Sequence, residues 1–408
     1  MSPLSLDDQM ALLMRGVTFG DDQIHAVMAR ELRERLAESA ASGKPLRVYL
    51  GVDPTSSDLH LGHTVPLRKL RQFQELGHQV IFLIGSFTAL IGDPSDKDKA
   101  RPQQSREQVA YHARTYVAQV YKILDPERTI IEYNDQWLAP LNFEQLIGLA
   151  SHFTVQQFLT RDNFAERFAK GDPIWLHEFF YALMQAYDAV ALQTDVQVGG
   201  TEQLFNLMAG RKLMEARGMR PQVAITLPIL VGTDGHLRMS KSTGNSIGIN
   251  EPPEAQYGKV MSIPDSAMRN FFDLVTRWTP AQIGELFAQL DAGAMHPRDA
   301  KMALAREIVE IFHGAEAAQA AEEHFRAVFQ QRDLPPDIQP YIMCGPMNIV
   351  ELLTAAGLAA TKSEARRAIQ QGGVRLDGQL VASIEVVIEP RGQVLQLGRR
   401  RFVQLVGG

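Results

Sequence analysis

One cysteine, Cys344, stands in 408 residues. That scarcity excludes an intramolecular disulfide framework and a zinc ribbon, and it fits a reducing cytoplasm. Long apolar runs are missing too. The most apolar stretch, "QVIFLIGSFTALIG" (79–92), is too short and too broken by Gly and Ser to span a bilayer. The start, "MSPLSLDDQM", lacks the basic region and apolar core of a signal peptide, so a cytoplasmic location without membrane contact is expected. Nor is there an excess of positive charge: the net charge is −6, which argues against a protein coated in nucleic acid. The average hides an asymmetry. From Pro346 onward eight Lys/Arg face five Asp/Glu, a mildly basic tail on an acidic body. Such a tail is a common way to add a polyanion contact. No internal repeat is present.

What is there suits an ordinary globular chain of two or three domains, with 45% apolar and 22% charged residues. Residues 22–40 read as an amphipathic helix. "LRVYLGV" (46–52) and "QVIFLIG" (79–85) read as buried strands, joined by a helix with Leu67, Leu70, Phe73 and Leu76 on one face and stopped by Gly77. Strand, loop, helix, strand is the unit of a parallel sheet, whose ligands bind at the carboxyl ends of the strands. Residues 135–180 read as a helical insertion with an apolar surface suited to a dimer contact. "PQVAITLPILVG" (221–232) returns to the sheet, and 265–330 is helical; within it Leu304, Ile308 and Ile311 share a face of one helix, which Gly314 ends. The prolines of 331–345 mark a linker. The last sixty residues read as two helices followed by short strands.

Two polar loops carry the chemistry. In "VYLGVDPTSSDLHLGH" (48–63) a helix starts near Gly62, where free backbone N–H groups favour an anion. His60, His63 and Thr55 add donors that can stabilise charge on an attacked phosphate. Taken alone, H-x-G-H reads equally as two histidines capping a helix. "LRMSKSTGN" (237–245) is a Gly- and Ser-rich loop with the mobile cation Lys241, suited to following a leaving pyrophosphate.

Together and in this order, the two loops resemble the HIGH and KMSKS motifs of the class I aminoacyl-tRNA synthetases, and within them the bacterial tyrosyl-tRNA synthetases, over nearly the whole chain. Arg238 departs from the first lysine of the second motif and is planar and less strongly hydrated. "YLGVDPT", "YALMQAYD" (181–188) and "VGGTEQLFN" (198–206) also resemble the tyrosine enzymes. On a helix Tyr181, Gln185 and Asp188 share one face.

The resemblance implies an α/β fold: a Rossmann-like doubly wound parallel sheet with a helical insertion, then an all-helical domain and a small α+β RNA-binding domain. The expected division is 1–240 catalytic, 241–330 the signature loop and a helical anticodon-contacting domain, 331–345 linker and 346–408 the RNA-binding domain. It implies activation of L-tyrosine by ATP with magnesium, without a tightly bound cofactor or a dedicated protein metal cage, then transfer to tRNA by a homodimer. Tyr49 and Asp188 would meet the phenol hydroxyl. Tyr181, Gln185 and Asp93 would hold the α-ammonium, Gln203 would lie near the carboxylate, and Asn134 would support the pocket floor. Thr55, His60, His63, Arg238 and Lys241 would act on the phosphates, with Lys97 and Arg101 of "DPSDKDKARP" as a second pyrophosphate clamp. Gly51, Asp53, Gly62, Gly199, Gly200, Glu202, Met239 and Ser240 would complete the ATP site; relatives often carry Asp where Glu202 stands. "TKSEARRAIQQGGVRLDGQLV" resembles the alpha-L type of RNA-binding domain, with Lys362, Arg366, Arg367 and Arg375 toward tRNA phosphates. A tryptophan enzyme of the same fold, an H-x-G-H nucleotidyltransferase and a non-catalytic RNA-binding protein on a synthetase scaffold are the rival readings.

Overall fold

The computed structural model describes residues 4–55, 58–95, 104–330, 338–398 and 401–407. The chain divides into two compact units, 1–323 and 324–408.

In the first unit, five parallel strands form one sheet: β1 (Arg47–Val52), β2 (Gln79–Ile84), β3 (Thr129–Tyr133), β4 (Val196–Gly200) and β5 (Val223–Leu227), in the order β3-β2-β1-β4-β5. β2 and β5 are apolar and almost wholly buried because helices cover both faces of a parallel sheet. The strand order reverses between β1 and β4, which opens a crevice at their carboxyl ends. Tyr49 pairs with Ile81 on one side and Gln197 on the other, fixing the register across that crevice.

The helix Leu61–Glu75 leaves β1, buries Leu67, Leu70 and Phe73, and ends ahead of Gly77, whose φ of +95° is costly for any side-chain-bearing residue. Short helices occupy 135–170, followed by the long helix Leu176–Leu192. Beyond β5 the unit is helical, with Leu304 and Ile308 fully buried on the helix Pro297–His313 and Gly314 closing it at φ +89°. Among the described residues no helix is long and apolar enough to cross a membrane.

The second unit has a sheet ordered Pro340–Met343, Arg401–Gly407, Val394–Leu397, Val374–Leu376, Gln379–Leu380, packed with the helices Ile349–Ala355 and Lys362–Gln370. Its tight turn falls at Asp377-Gly378, both at positive φ, as an Asp-Gly hairpin requires. The expected linker 331–345 is corrected in part. Pro340–Met343 is an edge strand paired parallel with Arg401–Gly407. Proline is tolerated as the first residue of an edge strand, so Pro340 does not mark a linker there. Residues 331–337 lie outside the described residues.

Candidate active site

A cavity of about 210 Å³ opens where β1 and β4 end. Its wall brings together Gly51, Asp53, Thr55, His60, Gly62 and His63 from β1 and the loop after it. Tyr181, Gln185 and Asp188 join them from the long helix, as their spacing predicts. Asp93, Asn134, Gly199, Gly200, Glu202, Gln203, Arg238 and Met239 also line it.

The two histidines do two things at once. His60 is the N-cap of the helix Leu61–Glu75: its Nδ1 accepts the Gly62 N–H at 3.1 Å. His63 Nδ1 accepts the His60 N–H at 3.2 Å, closing a reciprocal capping box. A ring nitrogen that accepts is unprotonated, so each neutral imidazole carries its hydrogen on Nε2. Burial, with added repulsion from Arg238 and Lys241, pushes His60 down to about 2 and His63 to about 4. Both rings are therefore uncharged N–H donors at neutral pH. Gly62 is needed for the box, because a Cβ there would come within 3.0 Å of the His60 ring.

Asp188 sits at the opposite end, 3% exposed. Trp137 Nε1 donates to its Oδ1 at 2.8 Å and Asn134 Nδ2 to its Oδ2 at 3.3 Å. Burial raises its pKa to about 8 against those two donors. Asn134 is fixed in turn, accepting the Phe87 N–H at 2.8 Å and donating to Thr88 Oγ1 at 3.1 Å. Tyr181 donates to Asp53 Oδ2 at 3.0 Å, and Thr88 donates to Asp53 Oδ1 at 2.7 Å. Gly85 makes room for this carboxylate: a Cβ there would lie 1.9 Å from Asp53 Oδ1. Asp93 accepts from Gln203 Nε2 at 2.7 Å and from the Ser95 N–H at 2.8 Å, so these two residues form one polar corner of the cavity. The Glu202 carboxylate folds over Gly200, where a Cβ would meet Oε2 at 2.2 Å.

Tyr49 requires a correction. Its ring is fully buried among Ile81, Leu83, Ala189, Leu192 and Met214 and is not part of the cavity wall; its neighbour Leu50 is. Its hydroxyl has no partner in hydrogen-bond geometry, and burial, then the Asp188 charge, raise its pKa well above the usual range. Sequence spacing gives the strand position but not the depth of the ring behind the wall.

In the second loop, Arg238 and Met239 reach the cavity, whereas Ser240 and Lys241 do not. Lys241 Nζ lies 3.1 Å from Asp58, and its charge acts on both histidines. Asn245 organises the loop, accepting the Ser240 N–H at 2.8 Å and donating to the Arg238 carbonyl at 3.1 Å. The Leu61 N–H donates to Ile247 O at 2.9 Å, tying this loop to the histidines. Lys97 and Arg101 lie outside the described residues.

Sequence reasoning missed Thr88, Trp137, Gln197 and Asn245. Gln197 lines the cavity while 2% exposed, and it accepts from Gln222 Nε2 at 2.5 Å. A glutamine inside the strand "VQVGG" was the available signal, since a buried amide needs partners.

In the second unit Arg366 and Arg367 are exposed on the helix Lys362–Gln370, whose other face buries Ala365 and Ile369. Lys362 pairs with Glu351 at 2.7 Å, and Arg375 donates to Gly378 O at 2.9 Å.

Comparison with known proteins agrees with this geometry. The family described as "tRNA synthetases class I (W and Y)" matches residues 41–330, and the S4 domain matches 347–390. The tyrosine–tRNA ligase of Moorella thermoacetica is 50% identical over 97% of this chain and 95% of its own. That of Thermotoga maritima is 47% identical over 98% of each. The Archaeoglobus fulgidus tyrosyl-tRNA synthetase, solved with L-tyrosine, shares the fold at a TM-score of 0.61 and 23% identity, over 78% of this chain and all of that one. The chain belongs to the tyrosyl-tRNA synthetase family of class I synthetases, with an S4 RNA-binding domain at its carboxyl end.

Proposed function

We infer that this chain is a tyrosine–tRNA ligase acting in two steps. The tyrosine carboxylate attacks the α-phosphorus of ATP, and the bond to the β-phosphate oxygen breaks to release pyrophosphate. A ribose hydroxyl at the tRNA 3′ end then takes the tyrosyl group, and AMP leaves. The observation that carries this reading is the cavity itself: a buried carboxylate, Asp188, at one end and two neutral Nε2–H donors at the other.

The attacking carboxylate is already a nucleophile, so the first step needs positioning and electrostatics rather than a general base. Asp188 takes the phenol hydroxyl, held by Trp137 and Asn134, while Tyr49 supports that end from behind the wall. Asp93, Tyr181 and Gln185 receive the α-ammonium, and Gln203 orients the carboxylate. His60, His63, Thr55 and the Gly62 backbone face the α-phosphate. Gly51, Asp53, Gly199, Gly200, Glu202, Met239 and Ser240 serve the nucleotide. Lys241 exchanges Asp58 for pyrophosphate oxygens, joined by Arg238, Lys97 and Arg101. ATP enters with magnesium held by its phosphates.

Lys362, Arg366, Arg367 and Arg375 meet tRNA phosphates, and the helices of 241–330 meet the anticodon region. A homodimer is favoured by the exposed apolar side chains of the insertion: Phe143, Ile147, Val155, Phe168, Trp175 and Leu176, with Phe143 77% and Leu176 70% exposed. The work of charging tRNA belongs in the cytoplasm. Transfer of labelled tyrosine to acid-precipitable tRNA tests the reading; absence of transfer with intact tRNA would overturn it.

A further inference from the structure

A second and larger cavity, of about 900 Å³, lies in the first unit behind the catalytic one. Val65 and Leu227 line both. It is walled by the far half of the helix Leu61–Glu75, the end of the helix Leu6–Met14, the segment 121–126 and the helical region 273–312. Its chemistry is lopsided. Arg15, Arg68, Lys69 and Lys122 line it, and among the described residues none of the four has a carboxylate at ion-pair distance.

Each is tied instead to a backbone carbonyl. Arg15 Nη1 donates to Trp278 O at 2.8 Å, and Arg68 donates to Thr276 O. Lys69 Nζ donates to Leu12 O at 3.1 Å and Arg15 O at 3.0 Å, and Lys122 Nζ to Ile249 O at 3.3 Å. Three carboxylates share the wall with six cations and are engaged elsewhere: Glu75 on Arg71, Asp273 on Arg269, and Asp125 on the Glu127 N–H, while Glu307 and Glu310 nearby hold Arg277.

Capping of helix ends accounts for the Arg68 and Lys69 contacts, at the ends of the helices Met268–Val275 and Leu6–Met14, since cations suit helix carboxyl termini; the Trp278 and Ile249 carbonyls lie in loops. It does not account for the rest. Among the described residues, Arg15 Nη2 is buried without an acceptor, and so is Gln72 Oε1 without a donor in the same wall. Three of these cations repel one another: burial, then Arg15 and Arg68, push Lys69 down to about 7. Asp273 offsets Arg15, and Glu307 and Glu75 offset Arg68, only in part, and an excess of buried positive charge is costly until a counter-charge joins it. Guanidinium pairs suit the oxygens of a phosphate, which carries more charge than a carboxylate and accepts bidentate hydrogen bonds. The cavity volume is in the range of small-molecule sites, roughly 300–1,000 Å³.

We propose that the cavity formed by Arg15, Arg68, Lys69 and Lys122 is a second anion site, separate from the catalytic one, that binds a phosphate-bearing ligand. Two sources share that chemistry: a small phosphorylated molecule, or a backbone phosphate of the bound RNA.

The test uses the full chain with its catalytic cavity filled by tyrosine and an unreactive ATP analogue. Inorganic pyrophosphate is then titrated by calorimetry at low chloride. One further site is expected. Arg15→Gln and Lys122→Gln should each weaken it at least about tenfold, the loss of one charge-assisted hydrogen bond, while Lys44→Gln, at an exposed cation lining neither cavity, should leave it unchanged. If Arg15→Gln does not fold, Lys122→Gln carries the test, because Lys122 is exposed and makes one carbonyl contact. No pyrophosphate binding to the filled chain, or equal binding by both variants, overturns the proposal. Displacement of pyrophosphate by tRNA would identify RNA as the source; retention beside tRNA would identify a small molecule. Either supports the site.

Discussion

Asp188 concentrates the recognition problem in one side chain. It is buried, it accepts from Trp137 and Asn134, and burial lifts its pKa to about 8. A group raised in the folded state stabilises the empty protein most at pH below its unfolded value, near 3.8, and that contribution is lost as pH rises toward 8. Compared with Asp188→Asn, the empty wild type should lose stability between pH 5 and 8, by up to about 1.4 kcal/mol per pH unit. Urea unfolding of both at several pH values measures the difference; a constant offset would mean Asp188 is ionised throughout. Gly85→Ala is a second prediction at this scale. Its Cβ would collide with Asp53 Oδ1 and with Thr88 Oγ1, 2.4 Å away. The variant should raise KM for tyrosine at least about tenfold, equivalent to about 1.4 kcal/mol. An unchanged KM would show that the Asp53–Tyr181 contact does not shape the pocket.

The helix Leu61–Glu75 is the element on which chemistry and folding meet. His60 caps it with Nδ1 and leaves Nε2–H for substrate. Asparagine is a good N-cap, but its amide N–H ends short of the position of the imidazole Nε2. His60→Asn should fold like the wild type and lose about 10²-fold or more in the rate of adenylate formation. His60→Ala should lose the same activity and also about 1 kcal/mol of stability. Denaturant unfolding beside pre-steady-state kinetics separates the two; equal stability of both variants would remove the cap from the account. This element was legible in sequence, because β1, the polar loop, Pro66 and Gly77 frame it. β3 and β4 were not. "TIIEY" is a half-exposed edge strand, and "VQVGG" carries Gln197 and two glycines. Gln197 is tolerated there only because Gln222, from the neighbouring strand's lead-in, meets it. Such a partnership is tertiary and leaves no local pattern. The depth of Tyr49 was hidden for the same reason, since apolar cover from Ile81 and Met214 is not encoded near it.

At the scale of the whole molecule, the proposed chemistry lies in the first unit and the proposed RNA phosphate contacts in the second, where the S4 domain matches. Removal of residues 331–408 takes away the second unit's whole sheet, including Pro340–Met343, and leaves the first unit complete. The truncated chain should form tyrosyl-adenylate normally, charge tRNA more weakly, and show a shallower dependence of tRNA binding on salt. Equal loss of both activities would contradict that division. The central claim is that the cavity ending in Asp188 selects tyrosine for attack on ATP. Its most direct measurement is amino-acid-dependent ATP–pyrophosphate exchange with tyrosine, phenylalanine and tryptophan. Phenylalanine would seal Asp188 from water without the phenol hydroxyl that completes its hydrogen bonds beside Trp137 and Asn134, at a cost of about 1–3 kcal/mol. Tyrosine should therefore drive exchange at least about tenfold better than phenylalanine, with Asp188→Ala erasing that preference. Exchange driven as well by tryptophan or phenylalanine, or a preference that survives Asp188→Ala, would contradict it.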